Sequence, residues 1–232
     1  MVSDGGKTPR EWPAASFLGQ LTEQTRRTVV RLGTARSFAA GEIIMLEGAR
    51  SDSVVLLLAG LYKVVGTLGS DREALVAIRV GGDIVGELGL ADGQSRSATV
   101  KAVTSGSGRR IGPREYHDLL GRHPDARQAI DRAMAGKLRS ATTRRVEFAT
   151  FAPLTRLARV LSELAAVHGT RTDSGVLIGV SLAQPELAAL IGVAEQTVQR
   201  LLARLRRDRV LDTLYRKILV LDEERLAGLA QP

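Results

Sequence analysis

The segment GELGLADGQSRSATV, residues 86–100, places side chains of opposite charge at the two ends of a glycine-rich stretch. Glu87 stands near its start and Arg96 near its end, and the fifteen residues include three glycines and two serines. Glycines lack a Cβ, so their backbone N–H groups can approach an anion, and a guanidinium offers it a planar fork of donors. Two interpretations follow. Either Glu87 and Arg96 form an ion pair across a turn, or the segment binds an anionic ligand.

A second segment, QPELAALIGVAEQTVQRLLARL at 184–205, has the pattern of a helix-turn-helix. A short helix with Pro185 in its first turn is followed by a three-residue turn that contains Gly192, and then by a longer helix. The inward face of the second helix is apolar and consists of Val198, Leu201, Leu202 and Leu205. The alternative is a helical hairpin with a solvated charged face.

The outward face of the second helix carries side chains that can read DNA. Side chains at its start would meet base edges in a major groove, whereas arginines further along would meet phosphates. A strand pair after the helix, with Arg216 and Lys217 at its tip, fits a winged variant. We therefore predict that the DNA-binding residues are Gln184, Glu195, Gln196, Gln199, Arg200, Arg204, Arg216 and Lys217.

The elements that must position these residues differ between the two halves of the chain. From Phe38 to Val103, short runs rich in Val, Ile and Leu alternate with Gly, Asp and Ser, which is typical of an all-β barrel or sandwich. The pattern of residues 124–151 predicts one long helix. Apolar side chains recur along it at heptad-like spacing, namely Met134, Leu138, Ala141 and Phe148, with Arg145 between the last two. That seam either joins two copies of the chain or covers the β-domain.

Composition excludes several classes of function. The chain has 232 residues and a formal charge of +8, but most of its 33 basic residues are arginine, so the charge by itself is weak evidence for a nucleic-acid partner. It has no cysteine, three scattered histidines, no nucleophile-base pair and no pair of catalytic carboxylates, which argues against an enzyme or a metal protein. No apolar run is long enough to span a membrane, so we expect a cytoplasmic protein without cofactor.

Several motifs in order resemble the family of cyclic-AMP receptor proteins and fumarate-nitrate regulators. They are GDIVGELGL at 82–90, RSATVKA at 96–102, HPD at 123–125 and ELAALIGVAEQTVQRLL at 186–202. The resemblance implies an α+β protein with a cyclic-nucleotide-binding, jelly-roll-like β-roll, a long dimerisation helix and a C-terminal winged helix-turn-helix. It divides the chain into a flexible arm (1–13), a nucleotide-binding domain (14–122), the helix (123–151) and a DNA-binding domain (152–232).

In nucleotide-binding members of that family, the stretch that matches residues 86–100 is a phosphate-binding cassette. By resemblance, Glu87 accepts from the ribose 2′-hydroxyl, and Arg96 and Ser97 contact the cyclic phosphate. Where the enteric cyclic-AMP receptor has two hydroxyl residues on the long helix, this chain has Ala141 and Thr142. The cassette also looks one residue shorter than in that receptor. The predicted ligand site comprises Gly86, Glu87, Leu88, Arg96, Ser97, Thr142 and Thr143.

The sequence therefore predicts a homodimeric transcription regulator that binds a pseudo-palindromic DNA operator and responds to a cyclic nucleotide such as cAMP. RNA polymerase is a further expected partner, and no membrane is involved. Two alternatives stay open. One is a DNA-binding regulator that is constitutive or senses another signal, with a vestigial cassette. The other is a nucleotide sensor that acts through a protein partner. DNA binding with and without nucleotide distinguishes the three.

Overall fold

The structure is a computed structural model that describes residues 12–67, 73–178, 183–215 and 217–231. Within these ranges the side chains of residues 73–74, 144–149 and 167–168 are not described. The predicted arm therefore lies almost wholly outside the described residues. Arg216 and the side chains of Arg145 and Phe148 lie outside them as well.

The first half of the described chain is an antiparallel β-roll of two four-stranded sheets. Its strands are β1 (Thr34–Phe38), β2 (Ile43–Met45), β3 (Val54–Ala59), β4 (Leu61–Thr67), β5 (Glu73–Val80), β6 (Ile84–Val85), β7 (Thr99–Ala102) and β8 (Gly106–Ile111). One sheet has the order β1-β8-β3-β6 and the other β2-β7-β4-β5. Along β3, Val55 and Leu57 pack between the sheets, whereas Val54 and Leu56 pack against helices on the outer face. Burial on both faces explains the unbroken apolar run of β3.

In the described residues, four α-helices and a short 3₁₀ helix (Leu18–Gln20) accompany the roll. The α-helices are α1 (Glu23–Val29), α2 (Glu87–Asp92), α3 (Pro113–Arg122) and the long α4 (Pro124–Thr150). The first turns of α4 are anchored to the roll, because Ala126, Ala129 and Ile130 are buried in its outer core. Met134 packs partly against the same core, but Leu138 is 70% exposed. Of the residues predicted to form the seam, Met134 thus packs against the β-domain, whereas Leu138 is exposed to solvent.

The C-terminal half has a helical core and a four-stranded sheet, β11-β12-β10-β9. Its elements are α5 (Pro153–His168), β9 (Gly169–Thr172), β10 (Gly175–Ile178), α6 (Gln184–Ile191), α7 (Glu195–Arg207), β11 (Leu211–Leu214), β12 (Lys217–Val220) and α8 (Glu223–Leu229). Gly192 ends α6 in the left-handed conformation with φ 65°, as the predicted turn requires. Val198, Leu202 and Leu205 of α7 are buried and Leu201 packs partly against the same core, as the apolar face predicted from the sequence requires.

Local structure departs from the sequence reading at several places. The cassette segment is not only a loop, because residues 87–92 form α2. Residues Gly106–Ile111 form strand β8, which lies beyond the predicted β-rich range of Phe38 to Val103. Helices α1 and α8 and strand β9 were not predicted. In β8, Gly108 lies against Leu56, where a Cβ would come within 2.5 Å of the Leu56 carbonyl oxygen, so glycine permits the close pairing.

The C-terminal half docks directly on the β4–β5 hairpin. Val65 of β4 and Leu75 of β5 belong to the same buried cluster as the apolar faces of α5 and α6. Beside this cluster, the Lys63 ammonium of β4 donates a hydrogen bond to the Glu186 carboxylate of α6. Lys63 is buried, so the two halves share both an apolar and an ionic contact. This docking brings α5 and α6 over the face of the roll that carries the cassette.

Candidate functional site

The cassette is shaped by a glycine that no other residue could replace without strain. Gly86 precedes α2 with φ 87°, in the left-handed region that favours glycine. A Cβ at this position would lie 2.5 Å from Nη1 of Arg96 and 2.7 Å from the methyl carbon of Met45. The absent side chain is therefore what allows Arg96 to fold back under the start of α2.

Arg96 is a buried cation held from several directions. Its Nη1 donates to the Gly86 carbonyl at 3.0 Å and its Nη2 to the Ser53 carbonyl at 2.6 Å. Asp52 lies 3.5 Å from Nη2. Burial lowers the pKa of Arg96, partly against the attraction of Asp52, but a guanidinium stays protonated in proteins. The chain thus keeps one positive charge fixed at the edge of the cassette.

Glu87 is 1% exposed and has two differently placed carboxylate oxygens. Oε1 accepts a hydrogen bond from the Lys137 ammonium of α4. Oε2 is buried and accepts no hydrogen bond from the described residues. The ion pair between Glu87 and Arg96 that one interpretation proposed is not formed, because Glu87 pairs with Lys137 and Arg96 with Asp52. A buried acceptor without a donor is costly, so Oε2 is suited to receive a donor from a ligand.

Both residues line a cavity of about 700 Å³. The cassette, β4, β5, α4, α5 and α6 all contribute to its wall, so the cavity lies between the β-roll and the C-terminal half. Its volume falls in the range of small-molecule sites. Among the predicted ligand residues, the cavity brings together Gly86, Glu87, Leu88, Arg96 and Ser97.

Two aspartates near the cassette have shifted pKa values of opposite sign. Burial raises the pKa of Asp83, which lines the cavity, although Arg79 and a hydrogen bond from Val80 N–H act against the rise. For Asp52, burial alone would raise the pKa, but hydrogen bonds from Ser53 and Arg110 and the charge of Arg96 bring it below the ordinary 3.8. Asp52 therefore stays ionised beside Arg96, whereas Asp83 retains its proton more readily than an exposed aspartate.

The predicted base contacts on α4 are not part of this cavity. Thr142 and Thr143 are exposed, and the Thr142 hydroxyl donates to the Leu138 carbonyl of its own helix at 3.0 Å. Ser140 and Ala141 face the cavity instead. The contact of Thr142 and Thr143 with a base therefore stays a prediction.

The residues that sequence reasoning missed lie mainly on other elements. Lys137 of α4 pairs with Glu87, and Arg79, Asp83, Arg132 and Glu163 also line the cavity. One signal could have found Lys137, because it stands four residues before Ala141 and so on the same helix face. Asp83 stands within the GDIVGELGL motif at 82–90, although nothing singled it out as a site residue. Arg79, Arg132 and Glu163 are brought in by β5, α4 and α5 without a local sequence signal.

The second helix of the helix-turn-helix presents an open polar face. Gln184 of α6 and Glu195, Gln196, Gln199 and Arg200 of α7 are exposed, as is Arg204 one turn further on. Ala194 provides no side-chain cap at the start of α7, which leaves Glu195 as the acidic group in the first turn. Arg200 donates to the Thr197 hydroxyl at 3.2 Å, which leaves further guanidinium donors for a base edge.

The wing is formed by β11 and β12, with Leu214 paired to Lys217 at its end. Lys217 is exposed there. The Arg206 guanidinium of α7 donates to the Thr213 hydroxyl of β11 at 3.1 Å, which ties the wing to the second helix. Arg216 lies outside the described residues, so its predicted role stays a prediction.

Among the described residues, no group of three or more His, Cys, Asp or Glu side chains is placed to hold a metal ion. In the same part of the chain, no helix is both long and apolar enough to cross a membrane.

Known protein families match two separate parts of the chain, one that contains the cassette and one that contains the helix-turn-helix. Residues 35–123 match the cyclic nucleotide-binding domain, and residues 155–229 match the Crp-like helix-turn-helix domain. A CRP-family transcriptional regulator of Thermus thermophilus has a similar structure, with a TM-score of 0.71, 28% identity and coverage of 84% of this chain and 96% of that one. The chain belongs to the Crp/Fnr family.

This Crp/Fnr protein is a DNA-binding transcription regulator with a cyclic nucleotide-binding domain, and its fold confirms the β-roll, long helix and helix-turn-helix expected from the sequence. A relative from Mycobacterium tuberculosis is described as a CRP-like cAMP-activated global transcriptional regulator. It is 24% identical over 194 residues, which cover 84% of this chain and 87% of the relative. The c-di-GMP responsive global regulator CLP of Xanthomonas campestris shares the fold, with a TM-score of 0.73 and 20% identity over 86% of this chain and 99% of CLP.

Proposed function

We propose that this Crp/Fnr regulator is controlled by a cyclic purine mononucleotide, with cAMP as the first candidate. One observation carries the proposal. A buried guanidinium, Arg96, and a buried carboxylate with an unpartnered oxygen, Glu87, line the same cavity. A cyclic phosphodiester with a neighbouring ribose hydroxyl supplies a further anion for Arg96 and a donor for the unpartnered oxygen of Glu87. The cAMP-activated relative supports the choice of base.

In this proposal each cassette residue has a separate task. Arg96 binds the cyclic phosphate with Ser97 beside it, Gly86 lets the ligand approach the backbone, and Leu88 covers the sugar. Glu87 Oε2 accepts from the ribose 2′-hydroxyl while Oε1 keeps its bond to Lys137. The ligand therefore acts on α4 through Lys137 as well as filling the cavity.

We further propose that the regulator acts as a homodimer through α4, in the cytoplasm and without enzymatic activity. Leu138, 70% exposed on α4, supplies an apolar side chain for the seam. Two copies would set two α7 helices in successive major grooves of a pseudo-palindromic operator. The ligand would bias the dimer geometry by a population shift, and RNA polymerase would be the downstream partner.

Calorimetry with wild-type protein and a panel of cyclic mono- and dinucleotides tests this assignment. We expect a cyclic purine mononucleotide to bind, and Arg96→Ala to abolish binding because the phosphate loses its fixed cation. Arg36→Ala, which removes an exposed arginine of β1 outside the cavity, is the matched control. Since Arg96 also holds two carbonyls, thermal unfolding of Arg96→Gln shows whether the fold survives. Unchanged nucleotide affinity in a folded Arg96 variant would reject the cassette.

A second candidate is a Crp/Fnr regulator with a vestigial cassette. The internal ion pairs of Glu87 with Lys137 and of Arg96 with Asp52 favour it, because they partly satisfy both groups without ligand. DNA binding with and without nucleotide separates the two candidates. Equal affinity for DNA in both conditions, with no calorimetric signal, identifies the vestigial case. Nucleotide binding without DNA binding points instead to action through a protein partner.

A further inference from the structure

The DNA-binding half of the chain supplies part of the cavity wall. Val160, Glu163 and Leu164 of α5 and Leu190 of α6 line the same cavity as the cassette. The buried cluster between β4–β5 and these helices, together with the contact of Lys63 with Glu186, holds them in this position. A ligand that fills the cavity therefore touches both halves of the chain.

Glu163 is the polar side chain in that part of the wall. It is exposed on α5, and within the described parts of the chain it takes part in no hydrogen bond or ion pair. An ionised carboxylate only accepts hydrogen bonds and repels a phosphate, so the ligand group that meets it must be a neutral donor. The exocyclic amino group of a base is such a donor, and in the proposed function the phosphate binds Arg96.

The rest of the wall leaves few alternatives for recognising a base. The Gln20 side-chain nitrogen already donates to the carbonyls of Ala15 and Ser16, so this residue offers a base only a neutral amide oxygen. The Ser16 hydroxyl donates to the Pro13 carbonyl and accepts from Gly19 N–H.

On α4, Ala141 has no hydrogen-bonding side chain and Ser140 offers only a neutral hydroxyl. The Asp83 carboxyl already accepts from Val80 N–H. Glu163 is thus the carboxylate of the wall that no described residue already bonds. The acceptor for a base amino group thus comes most directly from α5.

We propose that Glu163 is a specificity-determining residue of the effector site and accepts a hydrogen bond from the exocyclic amino group of the bound base. The effector then bridges the two halves of the chain, with its phosphate on Arg96 and its base on Glu163. This inference rests on the proposed function, since it names the base-reading residue of the same site.

The test compares two ligands that differ by one amino group. They are cAMP and the cyclic 3′,5′-monophosphate of purine riboside, which lacks only the 6-amino group. If cGMP binds more tightly than cAMP, the comparison uses a second pair of ligands. That pair is cGMP and the cyclic 3′,5′-monophosphate of inosine, which lacks only the 2-amino group. In wild type we expect the amino-bearing ligand to bind about five- to tenfold more tightly, as for one hydrogen bond to a charged group that water can still reach.

Glu163→Ala should bring this affinity ratio close to one, and Glu163→Gln, which keeps a neutral acceptor, should leave an intermediate ratio. Glu224→Ala, which removes an exposed glutamate of α8 away from the cavity, should keep the wild-type ratio. A merely structural role for Glu163 would weaken both ligands alike and leave their ratio unchanged. That result, or a wild-type ratio near one, would overturn the inference alone. Failure of every nucleotide to bind would overturn the proposed function and the inference with it.

Discussion

At the scale of single residues, the two carboxylate oxygens of Glu87 have different partners: one bonds a side chain of α4, and we propose that the other bonds the ligand. Oε1 is fixed by Lys137, and Oε2 is buried without a donor from the described residues. If Oε2 accepts from the ribose, Glu87→Ala should weaken a cyclic ribonucleotide about tenfold or more, because a hydrogen bond to a charged group is lost. The 2′-deoxy analogue lacks that hydroxyl and should lose much less. Calorimetry with both ligands measures the difference.

The control for Glu87→Ala is a substitution of Lys137, the residue that bonds Glu87 Oε1. Lys137→Met removes the cation but keeps the carboxylate, so some preference for the ribonucleotide should persist. Equal losses for ribose and deoxyribose ligands in Glu87→Ala would show that the carboxylate acts only as a structural partner of Lys137.

At the scale of elements, the long helix α4 is fixed at its start by a carboxylate. Asp125 accepts from Thr22 N–H at 3.1 Å, from the Thr22 hydroxyl at 2.9 Å and from the Thr25 hydroxyl at 2.9 Å. Burial alone would raise the pKa of Asp125, but these bonds outweigh it and bring the pKa below the ordinary 3.8. A carboxyl whose folded pKa is lowered stabilises the protein above its unfolded pKa, and that contribution is lost as the pH falls.

We therefore expect Asp125→Ala to lower the free energy of unfolding by about 1 to 2 kcal/mol at neutral pH. The difference from wild type should shrink as the pH drops below 3.8, because wild type loses the same stabilisation there. Urea unfolding between pH 3 and 7 measures it, with Asp131→Ala as the exposed control on α4. A difference that stays constant over this range would contradict the assignment.

Further along α4, Leu138 is exposed one turn after Met134, which packs partly on the β-roll. If a second copy covers this face, Leu138→Asp places a charge in a desolvated seam and should dissociate the dimer. Sedimentation velocity measures the change, and Arg139→Asp, at the next exposed position, should stay dimeric. A stable dimer of Leu138→Asp would place the seam elsewhere.

At the scale of the whole molecule, a two-fold dimer would present two α7 helices to DNA. We expect an operator with half-sites roughly 10 base pairs apart, in which Arg200 reads a guanine and Gln196 or Gln199 favours adenine. Glu195 can accept from a cytosine amino group. Arg200→Ala should cost about 1 to 3 kcal/mol and relax one base position. Selection of binding sites from random DNA by wild type and Arg200→Ala measures the change.

Lys217→Ala is the control for that experiment, since a phosphate contact from the wing carries no base preference. It should weaken binding to all sequences alike and flatten the salt dependence, while the selected motif stays the same. If wild type and Arg200→Ala select the same guanine, α7 does not read DNA in the way proposed.

Much of the fold could be predicted because its signals are local. The turn at Gly192, the apolar face of α7 and the start of α4 at Pro124 follow from glycine conformation, helical periodicity and proline placement. Helix α2 was missed, because it is only six residues long and is flanked by Gly86 and Gly93, both in the left-handed conformation, so the segment resembled a loop.

For the site, the sequence by itself determined the charged pair Glu87 and Arg96, the small residues around them and the polar face of α7, since these are fixed by residue type and spacing. Only the tertiary structure decided their partners. Glu87 meets Lys137 fifty residues away, and Glu163 reaches the cavity from the DNA-binding half. Such contacts depend on how the β-roll, α4 and α5 pack together. No local pattern encodes that packing, because it follows from burying the apolar faces of β4–β5, α5 and α6 against each other.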